Sequence, residues 1–349
     1  MQDENIVIWL PSPLGDAVLS TPALRAIRKH FEYAKITFLA APEVRRILSP
    51  GTFNDSWLEP STGNPLKITA TLREHRFTRA ILFKNSFAAA LAVFLAAIPS
   101  RTGYARDGRS LLLTDRLHAP KLPDGKFRPI SMIDYYLAVA SWLGATTSER
   151  GLELSVNPED QEQLRAKLPA IFEGEGPLVI LVPGGAFGPS KFWPADKFSL
   201  LADRLIDNYG ATVVLSVVAN ELESKTAGQI CNLCKHKLIN LAQEQVTLGE
   251  LKALFAEADL VVSNDTGPRH IAIALGRKII TIFGPNDPAW TDTGWEKEIQ
   301  LIGRVHCAPC AKPNCTEPEH FCMQAVTVEM VYEAAKKLLE KSPQKIGLP

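Results

Sequence analysis

Apolar and polar positions alternate along this chain in blocks typical of successive strands and helices. The clearest block, residues 260–275, opens with three consecutive apolar residues and continues through a polar turn to Pro268 at a first helical position. This pattern predicts a buried strand, a tight turn and a helix. Because the first N–H groups of a helix lack partners within it, such a turn can bind an anion. The alternative is an ordinary connection in which Asp265 or Thr266 caps the helix.

The same rhythm runs through the whole chain. Apolar runs of strand length occupy residues 6–10, 36–40, 79–83, 178–182, 212–218, 238–241, 260–262 and 278–283. Helical periodicity occupies residues up to about 31 with a break or kink at Pro22, then 66–74, 87–97, 131–143, 196–208, from about 221, 248–258 and 328–339. Alternating strands and helices predict an α/β fold with parallel sheets that carry helices on both faces.

Prolines, glycines and charged residues interrupt this rhythm at residues 154–176, which we interpret as a linker. A chain of 349 residues has room for two α/β domains. We therefore predict two doubly wound domains, residues 1–170 and 177–327, followed by a C-terminal helix and tail at 328–349. Ligands bind such domains at the carboxyl ends of the strands, and we expect a cleft between the two domains.

Composition is that of an ordinary globular protein, with 46% hydrophobic and 22% charged residues. The longest apolar run, residues 87–98, is too short to span a bilayer. No signal peptide precedes the first strand, so we expect a cytoplasmic protein.

The net charge of the chain is zero, yet residues 1–170 hold 21 lysines and arginines against 17 aspartates and glutamates. The surplus lies in residues 101–128, which indicates either an anionic partner or a solvated surface.

Several familiar catalytic motifs are absent from the sequence. The dinucleotide fingerprint GxGxxG does not follow the first strand, and there is no GxxxxGK[ST] phosphate loop. The sequence also lacks HExxH and GxSxG, which disfavours zinc proteases and α/β-hydrolases. It contains no DxD pair of the kind that metal-dependent sugar transferases commonly use. If the protein is a transferase, the missing DxD pair therefore favours a metal-free mechanism.

Three strand-to-helix turns carry unusual polar content. In the first, Gly15 allows close approach of a ligand and Asp16 is either a carboxylate base or a helix N-cap. The second turn, residues 182–194, has glycines that free the backbone to wrap an anion, and Lys191 supplies a point charge suited to phosphate. The third contains Asp265, Thr266 and Gly267. Two phosphate-adapted turns in one domain indicate a diphosphate and hence a nucleotide-linked donor. The turn at 283–288 either lines the same cleft or is fixed by its prolines.

These motifs resemble glycosyltransferase family 9, the bacterial heptosyltransferases. The resemblance covers nearly the whole chain and rests on residues 13–16, 85–87, 101–104, 183–191 with Trp193-Pro194, 263–267 with His270, and 283–285. Within the family, residues 85–87, 101–103 and 186–191 are most like the enzymes that add the second heptose. The resemblance implies a GT-B fold, with the acceptor on the first domain and the nucleotide sugar on the second. It also implies an inverting, metal-independent transfer from ADP-heptose to the lipopolysaccharide inner core.

The resemblance also implies roles for individual residues. Asp16 would be the general base. The donor contacts would be Gly184, Gly185, Lys191, Glu223, Asp265, Thr266 and Gly267. Glu221 is the second choice for the ribose contact, and Val217-Val218 departs from the glycine-containing turn of relatives. Acceptor contacts would be Gly15, Asn85, Ser86 and Arg101. The positive surplus in the first half of the chain fits an anionic acceptor and adds Arg106 and Arg109 as further candidates. No cofactor and no nucleic acid are expected, and a glycolipid acceptor implies peripheral contact with the inner membrane on its cytoplasmic face.

The six cysteines need a separate interpretation. Cys231 and Cys234 lie in a helical stretch and are expected to be free thiols. Four more, Cys307, Cys310, Cys315 and Cys322, cluster near His306 and His320 and have the density of a zinc site, although their spacing is irregular. We favour free thiols over a structural metal.

Two other interpretations of the whole chain remain open. The protein could be a nucleotide-sugar 2-epimerase of the same architecture, or a non-catalytic two-domain sugar-binding protein.

Overall fold

The structure is a computed structural model that describes residues 4–60, 64–218 and 220–340. Within these residues the chain forms two compact units, each with a six-stranded parallel sheet. One unit comprises the described residues up to Ser155 together with Ala289–Thr293. The other comprises Val156–Pro288 and the described residues from Gly294 onward. The α/β fold predicted from the strand–helix rhythm is confirmed.

The first unit has its strands in the sheet order β3-β2-β1-β4-β5-β6. These are β1 (Asn5–Trp9), β2 (Lys35–Leu39), β3 (Ser56–Leu58), β4 (Arg79–Leu82), β5 (Ser100–Tyr104) and β6 (Asp115–Leu117). Its helices are α1 (Leu14–Leu19), α2 (Thr21–His30), α3 (Pro42–Leu48), α4 (Pro65–His75), α5 (Phe87–Leu95) and α6 (Met132–Trp142). In the described parts of both units, no helix is long and apolar enough to cross a membrane.

The predicted break near Pro22 separates two helices. Helix α1 ends at Leu19 with Ser20 as its C-cap, and α2 starts at Thr21 with Pro22 in its first turn. Proline fits there because the N–H groups of a first turn have no helical partner in any case. Strand β1 lies in the middle of the sheet, where Ile8 is opposite Phe38 of β2 and Ile81 of β4. Helix α1 therefore starts at the carboxyl end of a central strand, which places Asp16 at that edge of the sheet.

The second unit repeats the architecture with the sheet order β12-β11-β10-β7-β8-β9. Its strands are β7 (Leu178–Val182), β8 (Thr212–Leu215), β9 (Ile239–Asn240), β10 (Leu260–Asn264), β11 (Ile279–Phe283) and β12 (Glu298–Ile302). Its helices are α7 (Pro158–Lys167), α8 (Ala195–Tyr209), α9 (Glu221–Leu233), α10 (Leu248–Glu257), α11 (Gly267–Ala274), α12 (Phe321–Ala325) and α13 (Val328–Leu339).

Strand β10 is the central strand of this unit and all five of its residues are buried. Val262 is opposite Leu181 of β7 on one side and Ile280 of β11 on the other. A strand covered on both faces needs a continuous apolar run, which explains why the sequence reveals it so clearly. Because Ser263 pairs in register with Val182, the loops that follow β7 and β10 leave the sheet side by side.

The structure differs from the predicted linker at residues 154–176. Helix α7 lies inside that stretch and packs against α10 in the second unit, so the division between units falls at Ser155 rather than near residue 170. Asn157 caps α7 by accepting a hydrogen bond from the Glu159 N–H. Only Leu164 of this helix is buried. A helix with one buried residue shows no apolar stripe, so the sequence pattern did not indicate it.

A short segment late in the chain belongs to the first unit. Ala289–Thr293 is grouped with that unit although the residues on both sides of it belong to the second. Within the first unit, the Ser131 hydroxyl donates a hydrogen bond of 2.5 Å to the Asp292 carbonyl oxygen. Ser131 is also the N-cap of α6. The two units are therefore not consecutive stretches of sequence.

Candidate active site

In the second unit, the loops after β7, β8 and β10 meet. The Asn264 side-chain amide donates to the Pro183 carbonyl oxygen at 2.7 Å, which ties the first and third of these loops together. A β-carbon at position 184 would collide with the Glu223 carboxylate, and one at position 185 would lie 3.2 Å from Thr266 Oγ1. A side chain at position 184 would displace the Glu223 carboxylate, and one at position 185 would press on Thr266, so the glycines let these two loops approach closely. The structure therefore brings together the predicted donor residues of all three loops.

Glu223 is buried near the start of α9. Its Oε2 accepts a hydrogen bond of 2.9 Å from the Val218 N–H, while Asn220 caps the helix by accepting from the Glu223 N–H. Glu221, the second choice from the sequence, is exposed. Strand β8 ends at Leu215, three residues before the predicted end, so Val217-Val218 is part of the loop. A carboxylate fixed at the edge of this loop is a suitable acceptor for ribose hydroxyls.

Lys191 and Asp265 form a buried ion pair. The ammonium donates to the Asp265 Oδ2 at 2.6 Å and to the Asp265 carbonyl oxygen at 2.7 Å, and it lies 4.9 Å from the centre of the Phe187 ring. Burial alone would raise the pKa of Asp265, but Lys191 lowers it on balance. An ammonium has three donors, so with these two bonds one N–H of Lys191 has no acceptor among the residues that the structure describes. The sequence predicted a phosphate-binding lysine and gave no sign of this pairing.

A second buried pair holds the start of α11. Arg269 Nε donates to Glu298 Oε1 at 2.7 Å, and the Thr281 hydroxyl donates to the same oxygen at 2.5 Å. Burial raises the pKa of Glu298, but Arg269 and its other hydrogen-bond donors lower it on balance. His270 is buried and its pKa falls to about 3, chiefly because burial disfavours the charged form. His270 is therefore neutral at physiological pH.

Thr266 precedes α11 as its N-cap, yet its side chain makes no capping hydrogen bond. The alternative in which Thr266 merely caps the helix is therefore wrong. Its hydroxyl is directed instead toward the space beside Gly185. The first N–H groups of α11 and the hydroxyl thus border the same space as the loop after β7. This is an arrangement that can bind a diphosphate.

The turn at 283–288 lies beside this cluster. The Asn286 side-chain amide donates to Asp265 Oδ2 at 3.3 Å. Asn286 also lines a cavity of about 430 Å³ at the carboxyl ends of β11 and β12, together with Gly284, Asp287, Pro288, Ile302, Gly303, Arg304, Val305, His306, Ala308 and Pro309. Its mixture of donors, acceptors and apolar groups suits a sugar. The turn therefore borders both Asp265 and this cavity.

In the first unit, Asp16 is the third residue of α1 and Pro13 is the N-cap. The alternative in which Asp16 caps the helix is therefore wrong. Asp16 is half-buried, and within the part of the chain that the structure describes no group donates a hydrogen bond to its carboxylate. Burial raises the pKa of Asp16 to about 6. A carboxylate with a pKa this close to neutrality is better suited to proton transfer than an ordinary aspartate.

The four predicted acceptor residues Gly15, Asn85, Ser86 and Arg101 differ in burial and in hydrogen bonding. Gly15 is half-buried in α1 beside Asp16, and Asn85 is half-buried in the loop after β4. Ser86 Oγ accepts from the Ala89 N–H and caps α5. The Arg101 guanidinium donates to the carbonyl oxygens of residues 98, 99 and 112, so its hydrogen bonds hold this loop. Asn85 thus has its side chain most available among them.

The late cysteines line one small cavity. Cys307, Cys310, Cys315 and Cys322 share it with His320, whose Nε2 is hydrogen-bonded to the Ser190 carbonyl oxygen at 2.6 Å. All six cysteines are free. Among the described residues, no three histidine, cysteine or acidic side chains are arranged to hold a metal ion. The zinc alternative therefore finds no ligand geometry in this structure.

The chain is similar to known proteins over nearly its whole length. The model of glycosyltransferase family 9 (heptosyltransferase) matches residues 66–320. Lipopolysaccharide heptosyltransferase 2 of Escherichia coli K12 is 29% identical over 96% of this chain and 98% of its own length. The solved structure of E. coli ADP-heptose LPS heptosyltransferase II superposes with a TM-score of 0.78 at 26% identity, covering 97% of this chain and 99% of that one. A family 9 glycosyltransferase structure from Veillonella parvula gives a TM-score of 0.82 at 22% identity, with 98% and 99% covered.

Proposed function

Because this chain belongs to glycosyltransferase family 9 and is therefore a glycosyltransferase of GT-B fold, we propose that it transfers heptose from ADP-heptose to the inner core of lipopolysaccharide. The observation that carries the proposal is the match, over nearly the full length of both chains, to relatives named heptosyltransferase 2 in E. coli and Haemophilus influenzae. For that reason we propose that it adds the second heptose. Family membership disfavours the epimerase and the non-catalytic binding protein.

The second unit would bind the donor. The amides of residues 184–185 and of the first turn of α11, the Thr266 hydroxyl and the third N–H of Lys191 would contact the diphosphate. Glu223 would accept hydrogen bonds from the ribose, and Asp265 with Asn286 would contact the heptose at the cavity beside β11 and β12. Oriented amides and one ammonium in a buried setting can stabilise the charge that develops on a leaving diphosphate. This supports a metal-independent transfer.

The first unit would supply the base for an inverting displacement. The acceptor hydroxyl attacks the anomeric carbon of the heptose and transfers its proton to the Asp16 carboxylate. As the new C–O bond forms, the bond from the anomeric carbon to the diphosphate oxygen breaks, and ADP leaves with the electron pair. A single displacement of this kind inverts the anomeric configuration.

We further propose that the reaction takes place at the cytoplasmic face of the inner membrane, since the acceptor is a glycolipid.

We expect turnover to depend on pH through Asp16. The base must be ionised, and its pKa is raised to about 6. The kcat/KM for acceptor should therefore fall tenfold per pH unit below pH 6 and level off above it. Initial rates between pH 4.5 and 8.5, with saturating ADP-heptose, measure this profile. A plateau that extends unchanged to pH 4.5 would contradict the assignment, because an exposed aspartate would titrate near 4.

Nucleotide binding tests the donor specificity. We expect ADP to raise the melting temperature, and UDP or GDP at the same concentration to have little effect, because a ligand that binds only the folded state stabilises it.

Glu223→Gln keeps the acceptor for the Val218 N–H but removes the charge. It should weaken ADP binding about tenfold, which is the loss of one charge-assisted hydrogen bond.

The exposed neighbour Glu221 provides the control for this experiment. Glu221→Gln should leave ADP affinity unchanged in the same titration. If Glu221→Gln lowers the affinity and Glu223→Gln does not, the ribose contact belongs to the second choice. Stabilisation by UDP rather than ADP would contradict the ADP-heptose proposal itself.

A further inference from the structure

The hydroxyl of Tyr135 in helix α6 is an unusual group in the first unit. The residue is 5% exposed, and its hydroxyl is buried without a hydrogen-bond partner among the residues that the structure describes. The ring stacks on Tyr104, with centroids 3.8 Å apart and an angle of 13° between the ring planes. The Tyr104 hydroxyl is satisfied, because it donates to the Tyr135 carbonyl oxygen at 2.8 Å. A buried unpaired hydroxyl is costly, so its presence needs an explanation.

The polar side chains that face this hydroxyl are Asn85 and Arg106. The orientation of Asn85 is fixed by the fully buried Arg109, which donates to Asn85 Oδ1 at 2.7 Å. Arg109 also donates to the carbonyl oxygens of Lys84 and Tyr104 at 2.7 and 2.8 Å. Because the Asn85 oxygen is occupied, its NH₂ group is the part left to contact a ligand. Among the described residues, the group that this NH₂ faces is the Tyr135 hydroxyl.

Arg106 is the second polar side chain that faces the Tyr135 hydroxyl. Its guanidinium lies 4.8 Å from the centre of the Phe127 ring and pairs with the neighbouring Asp107 at 3.1 Å. Its side chain is 32% exposed, and an arginine on a flexible stem can turn toward a ligand. The three groups around this point, a phenol O–H, an amide NH₂ and a guanidinium, are all hydrogen-bond donors. Helix α1, which carries Asp16, packs against α6, which carries Tyr135.

We propose that Tyr135, Asn85 and Arg106 bind an anionic group of the acceptor, a phosphate or a sugar carboxylate, beside the catalytic aspartate. The ligand oxygens accept the hydrogen bonds that these donors lack in the free protein. Arg109 is a positioning residue, which holds the Asn85 amide with its NH₂ group outward. The proposal rests on the proposed function, since it names a subsite for the same acceptor. Tyr135 was not among the residues that the sequence indicated, and its unpaired hydroxyl is visible only in the fold.

The test is Tyr135→Phe, with Tyr104→Phe as the matched control from the same stacked pair. Tyr135→Phe removes a hydroxyl without a protein partner, so the melting temperature should stay the same or rise. The acceptor KM should increase about 10- to 100-fold, the loss expected for a hydrogen bond to a charged group. The Kd for ADP should not change. Tyr104→Phe should show the opposite pattern, a lower melting temperature with a nearly unchanged acceptor KM.

Two modified acceptors identify the anionic group. A truncated inner-core acceptor is used intact, after phosphatase treatment, and after amidation of its carboxyl groups. If the group is a phosphate, Tyr135→Phe should have no further effect on the dephosphorylated acceptor; if it is a carboxylate, the effect should vanish only on the amidated one. An effect that persists on both modified acceptors overturns an anionic ligand. An unchanged KM for the intact acceptor overturns the subsite.

The proposed function can be judged separately in the same assays. A wild-type protein that transfers no heptose to any of these acceptors contradicts the proposed function. A wild-type protein that is active, while Tyr135→Phe and Tyr104→Phe behave alike, contradicts only the role of Tyr135. The Asn85→Asp variant provides a second arm that does not depend on Tyr135. Placing a negative charge at the subsite should raise the KM for the intact acceptor more than for the modified acceptor that lacks the bound anion.

Discussion

Replacing Asp16 with asparagine is expected to lower kcat by about 10²–10⁴-fold, the range by which a positioned general base accelerates a reaction. Asparagine keeps the shape of the side chain but cannot accept the acceptor proton. The affinity for ADP should not change, because the residues that would bind the nucleotide lie on loops of the second unit. Single-turnover rates with saturating ADP-heptose, together with ADP titrations, separate these two effects.

The same substitution should stabilise the fold. Burial raises the pKa of Asp16 from 3.8 to about 6, so the ionised form is disfavoured in the folded state. The resulting loss of stability is absent below pH 4, grows as the pH rises to about 6 and stays constant above that value. Asp16→Asn should therefore melt at a higher temperature than the wild type at pH 7.5, with the difference vanishing near pH 4. Lost turnover in a stabilised protein would rule out misfolding as its cause.

Asp134 offers a control with the same local position. It is the third residue of α6, as Asp16 is the third residue of α1, but it is exposed and pairs with Arg150. Asp134→Asn should keep near-normal kcat and gain no stability at neutral pH. Near-normal kcat in Asp16→Asn, or an equal loss in both variants, would remove Asp16 from its role as the base.

Replacing Lys191 with methionine should weaken the binding of ADP-heptose about 10- to 100-fold, because a charge-assisted hydrogen bond to the diphosphate is lost. It should also destabilise the protein by about 3 kcal/mol, since removing one partner of a buried ion pair leaves a buried charge. Asp265 would retain Asn286 at 3.3 Å and Arg269 at 3.8 Å. Urea unfolding and donor titration measure the two losses independently.

The double variant Lys191→Met/Asp265→Asn separates structure from binding. Neutralising Asp265 removes the unpaired charge, so much of the stability should return. Donor affinity should stay low, because neither residue then contacts the donor as in the wild type. If the double variant regains donor affinity together with stability, Lys191 acts only by pairing with Asp265, and its assignment to the diphosphate is wrong.

The parts of the fold that the sequence predicted well are its buried central strands. β7, β10 and β11 are buried along their whole length and consist mostly of apolar residues, so their patterns are easy to recognise. Three of the four edge strands, β3, β6 and β12, were missed, whereas the edge strand β9 was predicted at residues 238–241. β3 and β6 have three residues each, and all five residues of β12 are only half-buried. Such strands carry too few apolar positions to stand out from loops.

The sequence also predicted only part of the candidate site. Turns that follow strands could be recognised from local sequence, because glycines, prolines and acidic residues are concentrated there. Pairings between distant residues could not be recognised. Lys191 and Asp265 are 74 residues apart, and Arg109 is 24 residues from Asn85. Local sequence does not specify which partners the fold will bring to a side chain, so the Lys191–Asp265 pair and the unpaired Tyr135 hydroxyl emerged only from the structure.

The grouping of Ala289–Thr293 with the first unit has a practical consequence for recombining related enzymes. A chimera made by a single crossover near residue 155 would combine one parent's first unit with the other parent's version of this five-residue segment. The Ser131–Asp292 hydrogen bond would then join residues from different parents. Exchanging acceptor preference between homologues therefore calls for two further crossovers, so that the segment travels with the half of the molecule to which it belongs.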